Sequence, residues 1–420
     1  MQKIVVISDL EHSSPRISNI LYFLNQNKYE KYWIGANPEH FVNKKDLPNG
    51  FEKKIKNLFF RRRINVFQFI KQFLKSIRGN KKNTNTSFSG VSKKNKLIIY
   101  FLSLLIPDQY VFTTLKYVVK FRKEFKNGSK IIILSSSPYS TVHLACYIIK
   151  TIYKKRVVWV ADYRDLWSLN HNYPFSKFRL LIDKKIEKTV IKKACLVTTT
   201  TLAWSKKQSK FLNRKVNVIY NGFSFPDINQ VSNYSLERKN NKKYILYVGS
   251  LYTTFQDYEL LFDNLDNKHK NYEIHFLGKP NDIIKEIVEL KKLDNIVKNI
   301  GYFNRNDAML IQKQFDYLLF FDSKQDEGIL PLKFYEYINA NKPIICVGGK
   351  SNSEPKQILN YLKRGIILEE RNQLKDFFDK IHFKQNGLHY DEEKNSEFSY
   401  KFQSQKFEKL LDEYLVSYNW

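Results

Sequence analysis

Short apolar runs alternate along this chain with segments of helical periodicity. The runs are rich in β-branched residues and end in polar loops, as expected of strands buried on both faces of a parallel sheet. We predict strands at residues 3–8, 130–134, 156–161, 196–199, 216–220, 243–249, 272–277, 297–300, 316–321 and 343–347. Helical patterns separate them, such as the one from about Arg16 in which Ile17, Ile20, Leu21 and Leu24 share a face. This alternation predicts an α/β protein built from doubly wound sheets.

The length of the chain predicts more than one domain. A chain of 420 residues exceeds what one hydrophobic core usually supports. We predict a first Rossmann-like domain at 1–226, a polar linker at 227–243, and a second Rossmann-like domain at 244–395. An amphipathic C-terminal helix within 396–420 is expected to pack back on the first domain.

The excess of positive over negative charge is confined to the first half of the chain. Residues 1–225 carry 43 Lys and Arg against 12 Asp and Glu, a net +31, and the remainder carries 28 against 29, a net −1. An insertion at about 53–96 has fourteen Lys and Arg, no acidic residue, and interleaved phenylalanines. This composition is typical of a helix that lies in an anionic membrane surface.

Two other interpretations of this basic insertion remain open. It is also compatible with a helical segment packed on the domain with a solvated basic rim. RNA binding would account for basic and aromatic residues together, but no recognition-motif or zinc-finger pattern accompanies them. We therefore expect no nucleic-acid partner.

The remaining composition bears on compartment and cofactors. The three cysteines lie in apolar runs, which predicts buried thiols in a reducing compartment. The apolar start is too short for a signal peptide, and the most apolar stretch, 97–106, is too short to span a bilayer. Histidines are scattered and no Gly-x-Gly-x-x-Gly is present, so no metal and no cofactor are predicted. We expect a cytoplasmic protein, peripheral on the inner face of the cytoplasmic membrane.

One strand–loop–helix unit carries the most informative chemistry. The segment 327–345 has the sequence EGILPLKFYEYINANKPII and follows the predicted strand 316–321. Pro331 suits the first position of a helix, and Asn341 with Pro343 suits its end. The loop Gly328-Ile329-Leu330 would offer backbone amides to a phosphate. Taken alone, Lys333 and Glu336 favour a surface ion pair.

A second charged group follows the predicted strand 156–161. Asp162, Arg164 and Asp165 come at the carboxyl end of that strand, where open α/β sheets bind ligands. Charges at the end of a buried strand are costly unless they are paired or face a ligand. An Arg164–Asp165 ion pair that shapes the loop remains the alternative.

These motifs resemble those of the retaining glycosyltransferases of the GT-B fold, in the large nucleotide-sugar family called glycosyl transferases group 1. That family includes bacterial capsule and lipopolysaccharide sugar transferases. One subgroup has Pro-Leu-Lys-x-x-Glu-Tyr, here Pro331 to Tyr337, and Asp-x-Arg-Asp-x-Trp, here Asp162 to Trp167. The family spacing places seven residues between its two glutamates, whereas Glu327 and Glu336 enclose eight.

The resemblance implies two Rossmann-like domains facing a cleft, with the donor held mainly by the second. Glu336 would hold the donor ribose and Glu327 would lie near the donor sugar or its phosphate. The other implied donor-site residues are Lys333, Gly328, Ile329, Leu330, Pro331, Gly249 and Gly278. Lys333, Lys324 and Arg164 are the candidate cations for the diphosphate.

The first domain would supply catalytic and acceptor-side residues. Asp162 is our preferred contact to a sugar hydroxyl, with Arg164 and Asp165 beside it in the catalytic group. Ser13, Ser14 and Arg16 are the acceptor-side candidates at the first loop and helix. His171 is a further acceptor-side candidate.

We therefore expect a metal-independent, retaining glycosyltransferase. The donor would be a nucleotide sugar and the acceptor a lipid-linked or oligosaccharide glycan, in cell-surface polysaccharide biosynthesis. The alternatives are a GT-B-fold epimerase or phosphorylase and a non-catalytic basic protein that binds membranes or nucleic acid.

Overall fold

The structure, a computed structural model, describes most of the chain, and the described residues form two compact units. It describes residues 1–8, 15–35, 51–60, 105–125, 130–173, 175–224, 234–239, 241–251, 254, 256–266, 271–279, 282–381 and 391–418. Unit 1 comprises Met1–Thr200, Trp204–Ile219 and Phe407–Trp420, and unit 2 comprises Thr201–Ala203 and Tyr220–Lys406. Ser13, Ser14, residues 61–96 of the basic insertion, and residues 227–233 and 240 of the predicted linker lie outside the described residues.

Unit 1 is built on a seven-stranded parallel sheet with the order β3-β2-β1-β4-β5-β6-β7. Its strands are β1 (Gln2–Ile7), β2 (Tyr29–Ile34), β3 (Lys56–Asn57), β4 (Ile131–Ser137), β5 (Val157–Tyr163), β6 (Leu196–Thr199) and β7 (Asn217–Val218). The described helices between them are α1 (Pro15–Phe23), α2 (Phe51–Lys54), α3 (Thr113–Glu124), α4 (Thr141–Tyr153), α5 (Lys177–Ile191) and α6 (Leu202–Leu212).

Unit 2 repeats this design with a six-stranded parallel sheet of order β10-β9-β8-β11-β12-β13. Its strands are β8 (Lys243–Val248), β9 (Tyr272–Leu277), β10 (Val297–Gly301), β11 (Tyr317–Phe321), β12 (Ile344–Val347) and β13 (Gly365–Leu368). The described helices from here on are α7 (Tyr258–Phe262), α8 (Asp282–Lys291), α9 (Arg305–Gln312), α10 (Leu332–Ala340), α11 (Glu354–Tyr361), α12 (Arg371–Asp379), α13 (Glu392–Ser396) and α14 (Tyr400–Ser417).

Each sheet has an apolar core on both faces, which is why its strands are continuous apolar runs. In unit 1 one core joins the sheet to α3, α4 and α5, and the other joins it to α1 and the end of α14. The side chains from α14 are Phe407, Leu411 and Leu415, all buried. Unit 2 likewise has one core on each face of its sheet.

Most predicted strands are confirmed, with differences at their ends, whereas β2, β3 and β13 were not predicted. β5 continues through Asp162 and Tyr163, which were predicted to lie in a loop. Its pairing with β4 and β6 extends to these residues, so the backbone stays extended there. The helix α10 begins at Leu332, with Pro331 as its N-cap residue in an extended conformation. It ends as predicted at Asn341, which adopts the left-handed conformation at a φ of 61°.

Candidate functional site

The loop between β11 and α10 is shaped by its own side chains. Ser323 Oγ accepts hydrogen bonds from the backbone amides of Gln325 and Asp326, both at 3.2 Å. Asp326 Oδ1 accepts one from the amide of Gly328 at 2.8 Å. The Gly328 amide, expected from the sequence to face a phosphate, is thus used within the loop. These hydrogen bonds within the loop stabilise its conformation.

The two glutamates of the motif lie in different environments. The side chain of Glu327 is 51% exposed, with Lys350 Nζ 3.8 Å from its Oε1. Its carbonyl oxygen accepts a hydrogen bond from the amide of Glu354, which fixes this part of the loop. The side chain of Glu336, by contrast, is 8% exposed.

Glu336 pairs with a residue that the sequence did not suggest. Its Oε1 accepts a hydrogen bond from Arg305 Nε at 2.7 Å, and no ion pair forms with Lys333. Arg305 is the first residue of α9, whose N-cap Asn304 accepts a hydrogen bond from the amide of Asp307. The sequence signal that could have identified Arg305 is its position directly after an N-cap residue and a few residues after the end of a strand. The second carboxylate oxygen of Glu336 has no hydrogen-bond partner among the described residues.

Lys333 lies against β8. Its Nζ donates a hydrogen bond to Tyr247 Oη at 2.6 Å and lies 3.9 Å from the centre of that ring. Burial lowers the pKa of Lys333 to about 7, although the nearby carboxylate of Glu336 acts in the opposite direction. An amine with this pKa gains a proton readily when an anion binds beside it.

Lys333 differs from the other two candidate phosphate cations. Lys324 Nζ lies 2.9 Å from Asp257 and 3.5 Å from Glu259. Arg164 is paired with Asp165. Of the three, Lys333 is the one that makes no ion pair with a described carboxylate.

The remaining donor-side candidates lie directly after β8 and β9 and directly before α10. Gly249 has a φ of +94°, and a Cβ on Gly278 would lie 2.8 Å from the carbonyl oxygen of Gly249. Gly249 therefore favours glycine because of its positive φ, and Gly278 because two strand ends pack closely there. Tyr337 Oη accepts a hydrogen bond from the amide of Val248 at 2.8 Å, so α10 also fixes the end of β8. Leu330 is buried in the core, whereas Ile329 and Pro331 are half-buried.

In unit 1, Asp162 is the centre of a buried polar network. Its carboxylate accepts hydrogen bonds from Arg16 Nη2 at 2.8 Å and Nε at 3.3 Å. Two further bonds come from Ser136 Oγ at 2.8 Å and Thr198 Oγ1 at 2.7 Å. Ser136 and Thr198 are the residues opposite Asp162 on β4 and β6.

This network changes the expected roles of Asp162 and Arg16. Burial alone would raise the pKa of Asp162, but the charge of Arg16 and the hydrogen bonds hold it below its usual value. Asp162 is 2% exposed and Arg16 is fully buried. Both side chains are buried in this network, so the sugar contact expected of Asp162 and the acceptor-side place expected of Arg16 stay predictions. Their position favours a structural role at the end of β5 and the start of α1.

The loop after β5 contains the alternative ion pair. Arg164 Nη2 and Nε both donate to Asp165 Oδ2, at 3.0 Å and 3.2 Å. The buried side chains of Leu166 and Trp167 anchor this loop. His171 is exposed, and its ring nitrogen Nε2 is 2.9 Å from Asn172 Nδ2.

Two features are absent from the described part of the chain. No group of three or more His, Cys, Asp or Glu among the described residues is placed to hold a metal ion. No described helix is long and apolar enough to cross a membrane.

Comparisons with known proteins concern the fold. Neither a family model nor a curated protein sequence matches this chain. The lipopolysaccharide outer core galactosyltransferase WaaB is 17% identical, with a TM-score of 0.57 over 98% of this chain and 99% of that chain. HepE of Anabaena, solved with UDP and glucose, is 13% identical, with a TM-score of 0.59 over 98% and 100%.

A third similar structure has a different described activity. It is a protein of Listeria monocytogenes described as a UDP-N-acetylglucosamine 2-epimerase, 8% identical, with a TM-score of 0.53 over 99% of this chain and 97% of that chain. The likeness to all three extends over almost the whole of both chains, and each of the two units described above is a Rossmann-like α/β layer structure. This chain therefore has the GT-B fold.

Proposed function

We propose that this protein is a glycosyltransferase that moves a sugar from a nucleotide-sugar donor to a glycan acceptor. The observation that carries the proposal is the setting of Glu336. A carboxylate that is only 8% exposed is costly unless it is paired or binds a ligand. Arg305 holds one oxygen, which leaves the other to accept hydrogen bonds from a ribose diol. Galactosyl transfer by WaaB and the UDP bound to HepE, on the same fold, support this interpretation.

The chemistry follows from where charge develops. As the acceptor hydroxyl oxygen bonds to the anomeric carbon, the bond from that carbon to the diphosphate breaks and negative charge builds on the diphosphate, one oxygen of which takes up the hydroxyl proton. Lys333, charged when protonated, and the amino end of α10 supply the complementary positive potential. Glu327, exposed in the loop, is our candidate for a contact to the donor sugar. In unit 1, Arg164 and Asp165 are our candidates for catalytic residues.

Replacing Glu336 by Gln tests the donor site. We expect Glu336→Gln to weaken UDP binding by roughly 1.5–3 kcal/mol, the range for hydrogen bonds to a charged group. Calorimetric titration of wild type and variant with UDP, and with other nucleoside diphosphates if UDP does not bind, gives the result.

Glu273→Gln is a matched control for that experiment. Glu273 is also an ion-paired glutamate of unit 2, 12% exposed, with Lys242 Nζ at 2.7 Å. It lies at the amino end of β9, away from the strand ends that bear the site. Equal nucleotide affinities for Glu336→Gln and wild type would remove Glu336 from the donor site.

An epimerase is the second candidate function, favoured by the similar Listeria structure. An epimerase converts a nucleotide sugar without any acceptor, whereas a transferase consumes it only when an acceptor is present. We expect the donor sugar to stay unchanged on incubation with the protein alone. Conversion of UDP-N-acetylglucosamine under those conditions, followed by NMR, would instead establish the epimerase.

We further propose a retaining, metal-independent reaction on a lipid-linked or oligosaccharide acceptor, in cell-surface polysaccharide biosynthesis at the inner face of the membrane. The resemblance of the motifs supports retention, and the net +31 of residues 1–225 supports a position at an anionic surface. NMR of the product reports whether the donor's anomeric configuration is kept. We expect turnover to persist in EDTA, and its loss would contradict metal independence.

A further inference from the structure

Two helices of unit 1 expose large apolar side chains. On α3, Leu115 is 64% and Val119 is 65% exposed, and Phe112, the residue before the helix, is 50% exposed. On the first turns of α5, Phe178 is 74% and Leu181 is 67% exposed. The spacing within each helix places these side chains along one side. We call these five residues the α3–α5 face.

Contacts in the structure bring the beginnings of these helices to one edge of unit 1. Arg179, between Phe178 and Leu181, donates from Nη2 to the carbonyl oxygens of Leu105 and Pro107, at 2.8 Å and 3.1 Å. A few residues later, Asp108 Oδ2 accepts a hydrogen bond from the amide of Thr141, the first residue of α4. The segment that leads into α3 therefore passes over the starts of both α4 and α5.

The helices of the α3–α5 face belong to one layer. Their inner sides share a single apolar core against the sheet. Because that core covers only their inner sides, the exposed apolar residues are not part of it. They are surface residues of one layer in which α4 packs against both α3 and α5, and all of them except Val119 lie near the starts of their helices.

The acidic residues of α5 lie on its buried side, and its exposed charged residues are basic. Its acidic residues, Asp183 and Glu187, are both buried. Arg179 Nε lies 3.0 Å from Asp183 Oδ2, and Glu187 Oε2 accepts a hydrogen bond from the amide of Ser168. The exposed charges of α5 are Lys177, Lys185 and Lys188. All fully exposed charges of α5 are thus positive, and they lie beside the exposed apolar residues Phe178 and Leu181.

The same combination occurs on α3. Arg122 and Lys123 are exposed near its end, and its acidic residue, Glu124, lies 3.0 Å from Lys120 Nζ. A surface that joins apolar side chains to uncompensated positive charge is complementary to anionic lipid headgroups over acyl chains. An acidic protein partner would match the charge. It would need a separate pocket for the apolar side chains of each helix, whereas the acyl chains of a bilayer accept all of them.

We propose that the α3–α5 face docks on an anionic lipid bilayer. Phe112, Leu115, Phe178 and Leu181 enter the boundary between headgroups and acyl chains, and the lysines of α5 lie at the level of the phosphates. Phe60, in the described part of the basic insertion, packs against Tyr117 of α3, with ring centroids 5.2 Å apart. The proposed docking bears on the membrane position of the enzyme and not on its chemistry, so its failure would leave the proposed glycosyl transfer unaffected.

Vesicle sedimentation of the full chain tests the proposal. The probes are vesicles of phosphatidylcholine alone and of phosphatidylcholine with 30% phosphatidylglycerol, a composition of roughly bacterial anionic content, chosen because the basic face needs anionic lipid. We expect wild type to bind the anionic vesicles, more weakly at high salt. We expect Phe178→Ser with Leu181→Ser to lower the partition coefficient at least about tenfold. Lys177→Glu with Lys185→Glu is expected to act similarly.

A matched control comes from unit 2. Leu290 on α8 is 82% exposed, so Leu290→Ser changes an exposed leucine outside the face and is expected to bind vesicles like wild type. Circular dichroism and calorimetric titration with UDP on every variant separate loss of docking from loss of folding or of nucleotide binding. Three results would overturn the proposal. The first is equal binding of wild type to neutral and anionic vesicles. The second is unchanged vesicle binding by both double variants. The third is that wild type does not bind vesicles and the double variants instead differ from it in oligomeric state.

Discussion

At the scale of single residues, the position of the motif was predictable and its partners were not. Lys333 and Glu336 stand three residues apart on α10, and local spacing suggested a pair. In the structure Lys333 contacts Tyr247 on β8, and Glu336 contacts Arg305 on α9. Both partners come from distant parts of the chain. Sequence spacing identifies which residues share a helix side, but the fold decides which residues lie opposite them.

The pKa of Lys333 leads to a prediction about nucleotide affinity. Because burial lowers that pKa to about 7, the amine is mostly neutral in the unbound protein above that pH. A bound diphosphate favours the charged form, so binding takes up a proton. We therefore expect UDP affinity to fall as pH rises from 7 to 9, by up to about tenfold per pH unit. Titrations in two buffers of different ionisation enthalpy measure the proton uptake directly.

Two variants separate Lys333 from other titrating groups. Lys333→Arg keeps its charge at every pH in this range, so its UDP affinity should stay nearly constant between pH 7 and 9. Lys333→Met should bind weakly, also without pH dependence. Lys333 also affects the pH dependence of stability, and the direction of that effect does not depend on a ligand. The folded protein binds fewer protons than the unfolded chain between pH 7 and 10.5, so this lysine makes the free energy of unfolding rise with pH there. Proton uptake that persists in Lys333→Arg would assign the linkage to another group.

At the scale of elements, the consequential error was the end of β5. An apolar run ended at Ala161, so a loop was predicted to begin at Asp162. The strand continues because Ser136 and Thr198, opposite Asp162, bond its carboxylate within the sheet. A charged residue inside a buried strand needs partners that only the sheet order supplies. The apolar pattern located most strands correctly, because burial on both faces leaves that pattern in the sequence.

Removing the charge of Asp162 should therefore act on stability. Asp162→Asn leaves the buried guanidinium of Arg16 without its carboxylate, which typically costs about 3–5 kcal/mol. We expect a loss of that size in the free energy of unfolding of unit 1, measured by urea denaturation. The folded pKa of Asp162 is lowered, so its stabilising contribution is complete above the ordinary value near 3.8 and is lost as pH falls through the folded value.

Asp165→Asn is the control for this prediction. Asp165 also pairs with an arginine, but its side chain is 43% exposed, and exposed pairs contribute about 0–1 kcal/mol. We expect little change in its urea midpoint. A stable Asp162→Asn variant that has lost turnover would return Asp162 to the chemistry of the site.

At the scale of the whole molecule, tryptophan provides a probe of one unit. All five tryptophans belong to unit 1: Trp33, Trp159, Trp167, Trp204 and Trp420. Unit 2 has none and is the unit that we expect to bind the donor. Intrinsic fluorescence therefore follows the unfolding of unit 1, and calorimetry follows both units.

This probe tests the contribution of the end of the chain to unit 1. Leu411 on α14 is fully buried in the core that α14 shares with α1 and the sheet. Leu411→Ala removes apolar contacts and leaves a cavity, at a typical cost of about 2–5 kcal/mol. We expect the urea midpoint of the tryptophan transition to fall accordingly, while UDP affinity stays at the wild-type value. Leu290→Ala, at an exposed position of unit 2, should change neither quantity. A tryptophan midpoint unchanged by Leu411→Ala would mean that unit 1 does not need the last residues of the chain for its stability.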